Sequence, residues 1–314
     1  MKNHEDLGEK VELTEFIGCS KSILNLRKLI TSVAKGDDHV TIYGEVGTEK
    51  ILTAITIFEK QKQYKKLFYA QSNQMNVSID EFVSQTFFPD GNYSKKTLAG
   101  ILLIEAVEEL STDIQQYLLS ILQSKKISNP KIQKDIPINL RVISTAMPKL
   151  IQYLQEGNFD SNLFFELTSV SIKIPSLRER KQDIPLLLEY FLKKFCHDMV
   201  KEIPPCEFEI LDAILKYDWP GNVLEFQNIV RSMIVTSPQG ELDLSALPLP
   251  IKKDHFSEIG LQDLKVATAS LEKELIQKAL RRFAGNQSKA AKVLCISEPN
   301  LRYKMKKLKI NSDF

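Results

Sequence analysis

HVTIYGEVGTEKILTAITIF, His39 to Phe58, is the stretch that sets the fold class. His39–Tyr43 is a short apolar run with β-branched residues, the pattern of a strand buried on both faces. A glycine-bearing loop follows, and Ile51–Phe58 reads as an apolar helix. Strand, glycine loop and helix in that order are the setting of a phosphate-binding loop, G-x-x-x-x-G-K-[ST]. Its main-chain N–H groups wrap phosphates, its lysine bridges the terminal ones and its hydroxyl holds magnesium. Gly44, Glu45, Val46, Gly47, Thr48 and Lys50 fit the loop, but Glu49 replaces the second glycine and Ile51 the hydroxyl. Glu49 sets a carboxylate where the chain must approach an anion closely. On these residues two readings stay open, a nucleotide cradle and a plain strand-to-helix turn.

Working outward, Leu67–Ala70, Ile101–Ile104 (running into Glu105 and Ala106) and Leu140–Ser144 read as further strands. Phe16–Ala34 and Thr112–Gln123 carry apolar residues at helical spacing, and Ser84–Thr97 is polar and loop-like, with a turn at Pro89–Asn92. Strands alternating with helices predict an α/β domain, a parallel sheet with helices on both faces. Gln182–Val235 is helical in pattern apart from a break at Trp219–Asn222, which predicts an all-α subdomain. Pro248–Lys253 reads as linker, and Leu261–Phe283 as a long helix stopped by Gly285. The expected division is a leader at 1–14, an α/β core at 15–180, a helical subdomain at 181–247, a linker at 248–260 and a C-terminal all-α domain at 261–314.

Gln287–Lys307 (QSKAAKVLCISEPNLRYKMKK) has the pattern of a helix-turn-helix. Ala290, Ala291, Val293 and Leu294 mark a short helix, and Cys295–Ile296 a turn. Ser297 offers an N-cap oxygen, and Pro299 sits in the first turn, where its missing N–H costs nothing. Leu301, Met305 and Leu308 form one stripe of the second helix, and Arg302, Tyr303, Lys306 and Lys307 fall outside it. Such a helix suits the DNA major groove, and a solvated basic surface is the plainer alternative.

The whole chain of 314 residues carries a net charge of +2, but residues 251–314 hold 14 Lys and Arg against 7 Asp and Glu, leaving −5 on the other 250. A basic end on a slightly acidic body fits a polyanionic partner that touches one end. No apolar run is long enough to span a bilayer, and MKNHEDLGEK has no signal-peptide core. Cys19, Cys196, Cys206 and Cys295 are scattered, as are His4, His39, His197 and His255. The expectation is a reduced, cytoplasmic protein with no metal site and no membrane partner.

Taken in order, FIGCS, GEVGTEK, GILLIEAVEEL, IQQYLLSILQ, LRVISTA, IPSLRERKQDIPLL, YDWPGNV and NQSKAAKVLCIS resemble the bacterial enhancer-binding proteins. These are AAA+ activators of sigma-54 polymerase that end in a Fis-type helix-turn-helix. The resemblance runs from about Phe16 to the end, without the receiver or sensor domain often found ahead of it. It implies an AAA+ α/β core, an α-helical lid at 181–247 and a DNA-binding domain at 261–314. By this resemblance, Ser288, Lys289, Ser297, Glu298, Asn300, Arg302, Tyr303, Lys306 and Lys307 face double-stranded DNA. Leu261–Phe283 would be a dimerisation helix, and two recognition helices would stand about one DNA turn, ~34 Å, apart.

The sequence also departs from the family pattern. The second carboxylate motif ends in Asp-Glu in the family, but here it reads Glu105-Ala106. Losing the base at Ala106 costs hydrolysis on the order of 10²–10⁴-fold. The sensor Asn aligns with Met147, the Asn that couples the catalytic Glu aligns with Ser72, and the sensor Arg with Leu224. Two inter-subunit arginines, worth roughly 10³–10⁵ in rate, align with Asp160 and Glu166. No GAFTGA loop is present between Glu81 and Gly100.

The resulting expectation is a DNA-binding transcriptional regulator without catalytic residues, whose AAA+ body serves as scaffold or sensor. Gly44, Glu45, Val46, Gly47, Thr48, Lys50 and Glu105 would be a vestigial nucleotide site, either empty or holding ATP or another nucleotide without turnover. The alternatives are an ATP-dependent sigma-54 activator, with RNA polymerase as partner, and a nucleotide-sensing partner of a functional paralogue.

Overall fold

The computed structural model describes residues 16–71, 77–93, 95–129, 132–206 and 208–236, then positions 242, 247 and 251 and most of 272–310. It divides into two compact units, Met1–Ile251 and Lys252–Phe314.

The first unit is built on β1 (Val40–Tyr43), β2 (Leu67–Gln71), β3 (Leu98–Glu105), β4 (Lys126–Asn129), β5 (Ile132–Ala146) and β6 (Val170–Lys173). The order β2-β3-β5-β1-β6 is parallel throughout, and β4 pairs antiparallel with the start of β5. Period-2 alternation in β3 sends its side chains to two separate cores. Ile101 and Leu103 pack with Ile23 and Ile30 of α1 (Lys21–Val33) and with Leu52 and Ile57 of α2 (Lys50–Lys60). Leu102 and Ile104 pack with Phe82 and Phe87 of α3 (Ile79–Phe87) and with Ile114 and Leu118 of α4 (Thr112–Ser124). Each such aliphatic side chain, fully buried, stabilises the fold by about 1.5–3 kcal/mol. The sheet is therefore covered on both faces, as the sequence predicts.

Three local readings need correction. Ser84–Phe87 is not loop but the last turn of α3, which Ser78 caps by accepting from Glu81 N–H. Its apolar face (Phe82, Val83, Phe87) is spaced helically, and the polar residues between are its outer side. The strand at Leu140–Ser144 is the end of a longer one that begins in a β4–β5 hairpin. The helical stretch after Gln182 is interrupted between α7 (Ile184–Asp198) and α8 (Phe208–Lys216), where Val200 takes φ 53°.

After β5 the chain forms α5 (Leu150–Gln155) and α6 (Ser161–Leu167) before β6, and the 3₁₀ segment Leu177–Asp183 then leads into the lid. α7, α8 and α9 (Asn222–Thr236) enclose their own core, with Phe191, Phe195, Phe226 and Val230 around Trp219. Trp219 is fully buried, and its indole N–H donates to Ile214 O at 2.9 Å.

In the second unit, residues 275–277 and 279–280 are helical, followed by α10 (Gln287–Val293) and α11 (Glu298–Lys307). Ile276, Leu280, Ala290, Ala291, Leu301 and Met305 make its core. Asn286 and Ser297 cap the two helices, accepting from Lys289 N–H and Asn300 N–H at 3.1 and 3.4 Å. The leader 1–14, Ser72, most of the linker 248–260, Leu261–Leu271 of the expected dimer helix and Cys295 lie outside the described residues.

Candidate functional site

The loop after β1, Gly44–Lys50, folds tightly on itself and against the lid. Gly47 takes φ 76° and passes so close to the lid that a Cβ there would sit 2.1 Å from Gly221 O. Only glycine meets both demands. Thr48 Oγ1 donates to Glu45 O at 2.8 Å. Lys50 Nζ donates to Gly44 O and Glu45 O at 2.9 and 2.8 Å, and burial lowers its pKa. Val46 stands 57% exposed at the rim. Glu45 forms an ion pair with Arg178, whose hydrogen bond holds its pKa down.

Glu49 takes the left-handed conformation, φ 68°, a region that favours glycine. Its carboxylate is directed at the buried guanidinium of Arg180, 3.6 Å away, and burial raises its pKa. The sequence reading set this carboxylate in the path of a phosphate; tertiary structure gives it a cationic partner at the foot of the lid instead.

The lid closes against this loop. Asn222 Nδ2 donates to Val46 O at 2.9 Å and to Glu45 Oε2 at 3.2 Å, while its Oδ1 accepts from Leu177 N–H at 2.8 Å. Leu224, 52% exposed, donates its N–H to Gly47 O at 3.3 Å. An apolar side chain thus stands where the resemblance puts a sensor arginine.

On the other side of the loop, Glu105 accepts from the Tyr69 hydroxyl. Ala106 N–H donates to Thr145 Oγ1 at 3.0 Å. The main-chain N–H of Met147 donates to Glu108 Oε1 at 3.1 Å. Glu108 is 4% exposed, and burial raises its pKa. Sequence reasoning passed over Glu108 because it sits in the run Glu105–Glu109 and looks like surface charge; its only signal was the short spacing from the carboxylate motif.

The two acidic replacements sit in different settings. Asp160 caps α6, accepting from Asn162 N–H and Leu163 N–H at 2.8 and 2.9 Å. Glu166 lies 3.8 Å from His39 Nε2. Among the described residues there is no group of three or more His, Cys, Asp or Glu able to hold a metal, and no helix is long and apolar enough to cross a membrane.

In the second unit, Leu301 and Met305 of α11 are buried, and Arg302, Tyr303, Lys306 and Lys307 are exposed beside Ser288, Lys289, Ser297 and Asn300. Glu298 is engaged within the unit. One of its oxygens accepts from Ser288 Oγ at 2.6 Å, and the other pairs with Arg302. Arg302 Nε also donates to Gln287 Oε1 at 3.1 Å. Lys304 turns the other way and pairs with Glu272.

With sheet, lid and helix-turn-helix described, the comparisons with known proteins agree. The Sigma-54 interaction domain family matches residues 16–173, the AAA+ ATPase lid domain residues 178–262, and the Bacterial regulatory protein, Fis family, residues 268–308. The chain belongs to the Sigma-54 interaction domain family. It is 30% identical to a signal-transduction and transcriptional-control protein of Clostridium beijerinckii over 96% of its own length, and spans about half (49%) of that relative. It is 28% identical to the transcriptional regulatory protein ZraR of Salmonella typhimurium, covering 92% of this chain and 68% of ZraR. In fold it is similar to NtrX from Brucella abortus in complex with ATP, with a TM-score of 0.68 at 23% identity, covering 98% of this chain and 72% of NtrX.

Proposed function

We propose that this protein is a sequence-specific DNA-binding transcriptional regulator whose AAA+ body serves as scaffold or sensor without hydrolysing ATP. The observation that carries the reading is the contrast between the two units. α11 presents Arg302, Tyr303, Lys306 and Lys307 on a face opposite its buried stripe, the layout of a recognition helix. Lysine and arginine there neutralise phosphates, and Asn300 can read a base edge. The first unit, by contrast, has Ala106 where a water-activating carboxylate would stand, Leu224 in place of a sensor arginine and acids at 160 and 166. The Asp160 side chain is taken up by a helix cap, and Glu166 lies 3.8 Å from the His39 ring. Pairing of two copies through Leu261–Phe283 would set two recognition helices on successive major grooves.

The test is a pair of measurements on the full chain. Genomic or gel-shift selection is expected to return specific sites, and phosphate release from ATP is expected to stay at background and be the same in Lys50→Ala. Absence of any preferred DNA site would end this reading. The second reading is an ATP-driven activator in contact with sigma-54 polymerase. It is supported by the family match and by the retained Gly44, Gly47 and Lys50. Phosphate release that Lys50→Ala abolishes would establish it.

A further inference from the structure

Three carboxylates act on the ammonium of Lys50: Glu108, Glu105 and Glu45. Two of them are held elsewhere, Glu45 by Arg178 and Asn222, and Glu105 by the Tyr69 hydroxyl. Glu108 is not fully held. It is 4% exposed, its Oε1 accepts from Met147 N–H at 3.1 Å, and its Oε2 is buried without a hydrogen bond. A buried carboxylate oxygen without a donor is costly, and such groups mark sites where a ligand or charge belongs.

The position of Glu108 follows from the sheet. Tyr43 and Ala146 are paired at the carboxyl ends of β1 and β5, and Gly44 N–H donates to Ala146 O at 3.2 Å. Met147, which holds Glu108, is the next residue. The carboxylate is therefore tied, through Met147, to the carboxyl end of β5 next to β1, where ligands of such parallel sheets bind. In a loop of this kind the main-chain amides cradle the inner phosphates and the lysine reaches the outer ones. α2 begins at Lys50 and adds its own N-terminal preference for an anion.

We propose that Glu108 stands as a fixed internal anion in the place of a terminal phosphate, so that the loop takes a nucleoside diphosphate in preference to the triphosphate. A diphosphate ends within the reach of Lys50 and the loop amides. A third phosphate would bring its charge against a buried carboxylate that cannot move into water. This rests on the reading that the site does not turn ATP over, and it adds a ligand class to that reading.

The test is calorimetric titration of the full chain with ADP and with the β,γ-imido analogue of ATP, in magnesium buffer. ADP is expected to bind at least about tenfold more tightly, a difference equivalent to about 1.4 kcal/mol. Glu108→Gln keeps the acceptor for Met147 and removes the charge; it is expected to bring the two ligands within about threefold by improving the analogue alone. Glu108→Ala, with circular dichroism to show that it is folded, serves as the second variant. Equal affinities in the unmodified protein, a ratio that neither variant moves, or no binding of either ligand would each overturn the proposal while leaving the DNA-binding reading intact. Phosphate release from ATP that disappears in Glu108→Gln would make Glu108 a catalytic base, and would overturn both this proposal and the absence of turnover.

Discussion

The carboxylate of Glu49 faces the guanidinium of Arg180 at 3.6 Å, joining the phosphate loop to the segment that leads into the lid. Arg180 is 1% exposed, and its three side-chain nitrogens make no hydrogen bond. The nearby Asp183 is already engaged by Cys19 N–H, Ser20 N–H and the Ser20 hydroxyl at 2.7, 2.7 and 2.6 Å. Removing Glu49 would leave Arg180 with only the already engaged Asp183 as counter-charge, and breaking a buried pair typically costs about 3–5 kcal/mol. Glu49→Ala is therefore expected to lower stability by about 3 kcal/mol, toward the low end because the Glu49 side chain is 23% exposed. Glu49→Gly should lose less, since glycine relieves roughly 1 kcal/mol of left-handed backbone strain. Glu49→Ala with Arg180→Met should recover most of the loss. Urea unfolding followed through the single tryptophan, Trp219, reads all three; equal stability of Glu49→Ala and the unmodified protein would refute the pairing.

Arg302 is exposed on α11 and tethered by Glu298 and Gln287. If it contacts phosphate, Arg302→Ala is expected to weaken binding to all sequences alike and to reduce the salt slope by about 1. If it reads a base, the loss is about 1–3 kcal/mol and falls on one position of the site. Fluorescence anisotropy across a salt series, with matched and mismatched duplexes, separates the two outcomes. Unchanged binding would remove Arg302 from the interface.

Burial holds the Glu108 carboxyl above its ordinary value of 4.5, against the pull of the Met147 amide and Lys149. The unfolded chain therefore releases this proton first. The associated stability is fully present below pH 4.5 and is lost as pH rises through the folded value. Glu108→Gln is expected to raise the urea midpoint at pH 7.5 and to change it little at pH 4. A neutral or destabilising effect at pH 7.5 would contradict the burial cost.

His39 behaves with the opposite sign. Its Nδ1 accepts from Val142 N–H at 2.9 Å, so that nitrogen carries no proton. Burial lowers its pKa below 6.5, with Arg141 acting in the same direction and Glu166 and Asp38 against it. Stability from the neutral imidazole is present above pH 6.5 and is lost as pH falls through the folded value. His39→Gln should flatten the fall in the urea midpoint between pH 7 and pH 5. An unaltered profile would show that His39 does not contribute to it.

Much of the site's frame was legible because it is local. The strand and glycine loop at 39–50, the cap at Ser297, and the stripe of Leu301 and Met305 all depend on residues within a few positions of each other. Period-2 and 3.6-residue patterns carry that information directly. Ser84–Phe87 misled because one helical turn with a polar outer side looks like loop when read without the core its other side meets.

By itself, then, the sequence determined a parallel α/β sheet covered on both faces, a helical lid, and a helix-turn-helix with a basic outer face. Tertiary structure alone decided how the charges are used. Glu45 meets Arg178 across 133 positions and Asn222 across 177, Glu298 finds Ser288 only because α10 and α11 pack together, and Glu108 accepts from Met147 across 39. The physical reason is that helix and strand periodicity is written in neighbouring residues, whereas the energy of a charge depends on burial and on partners brought from distant parts of the chain.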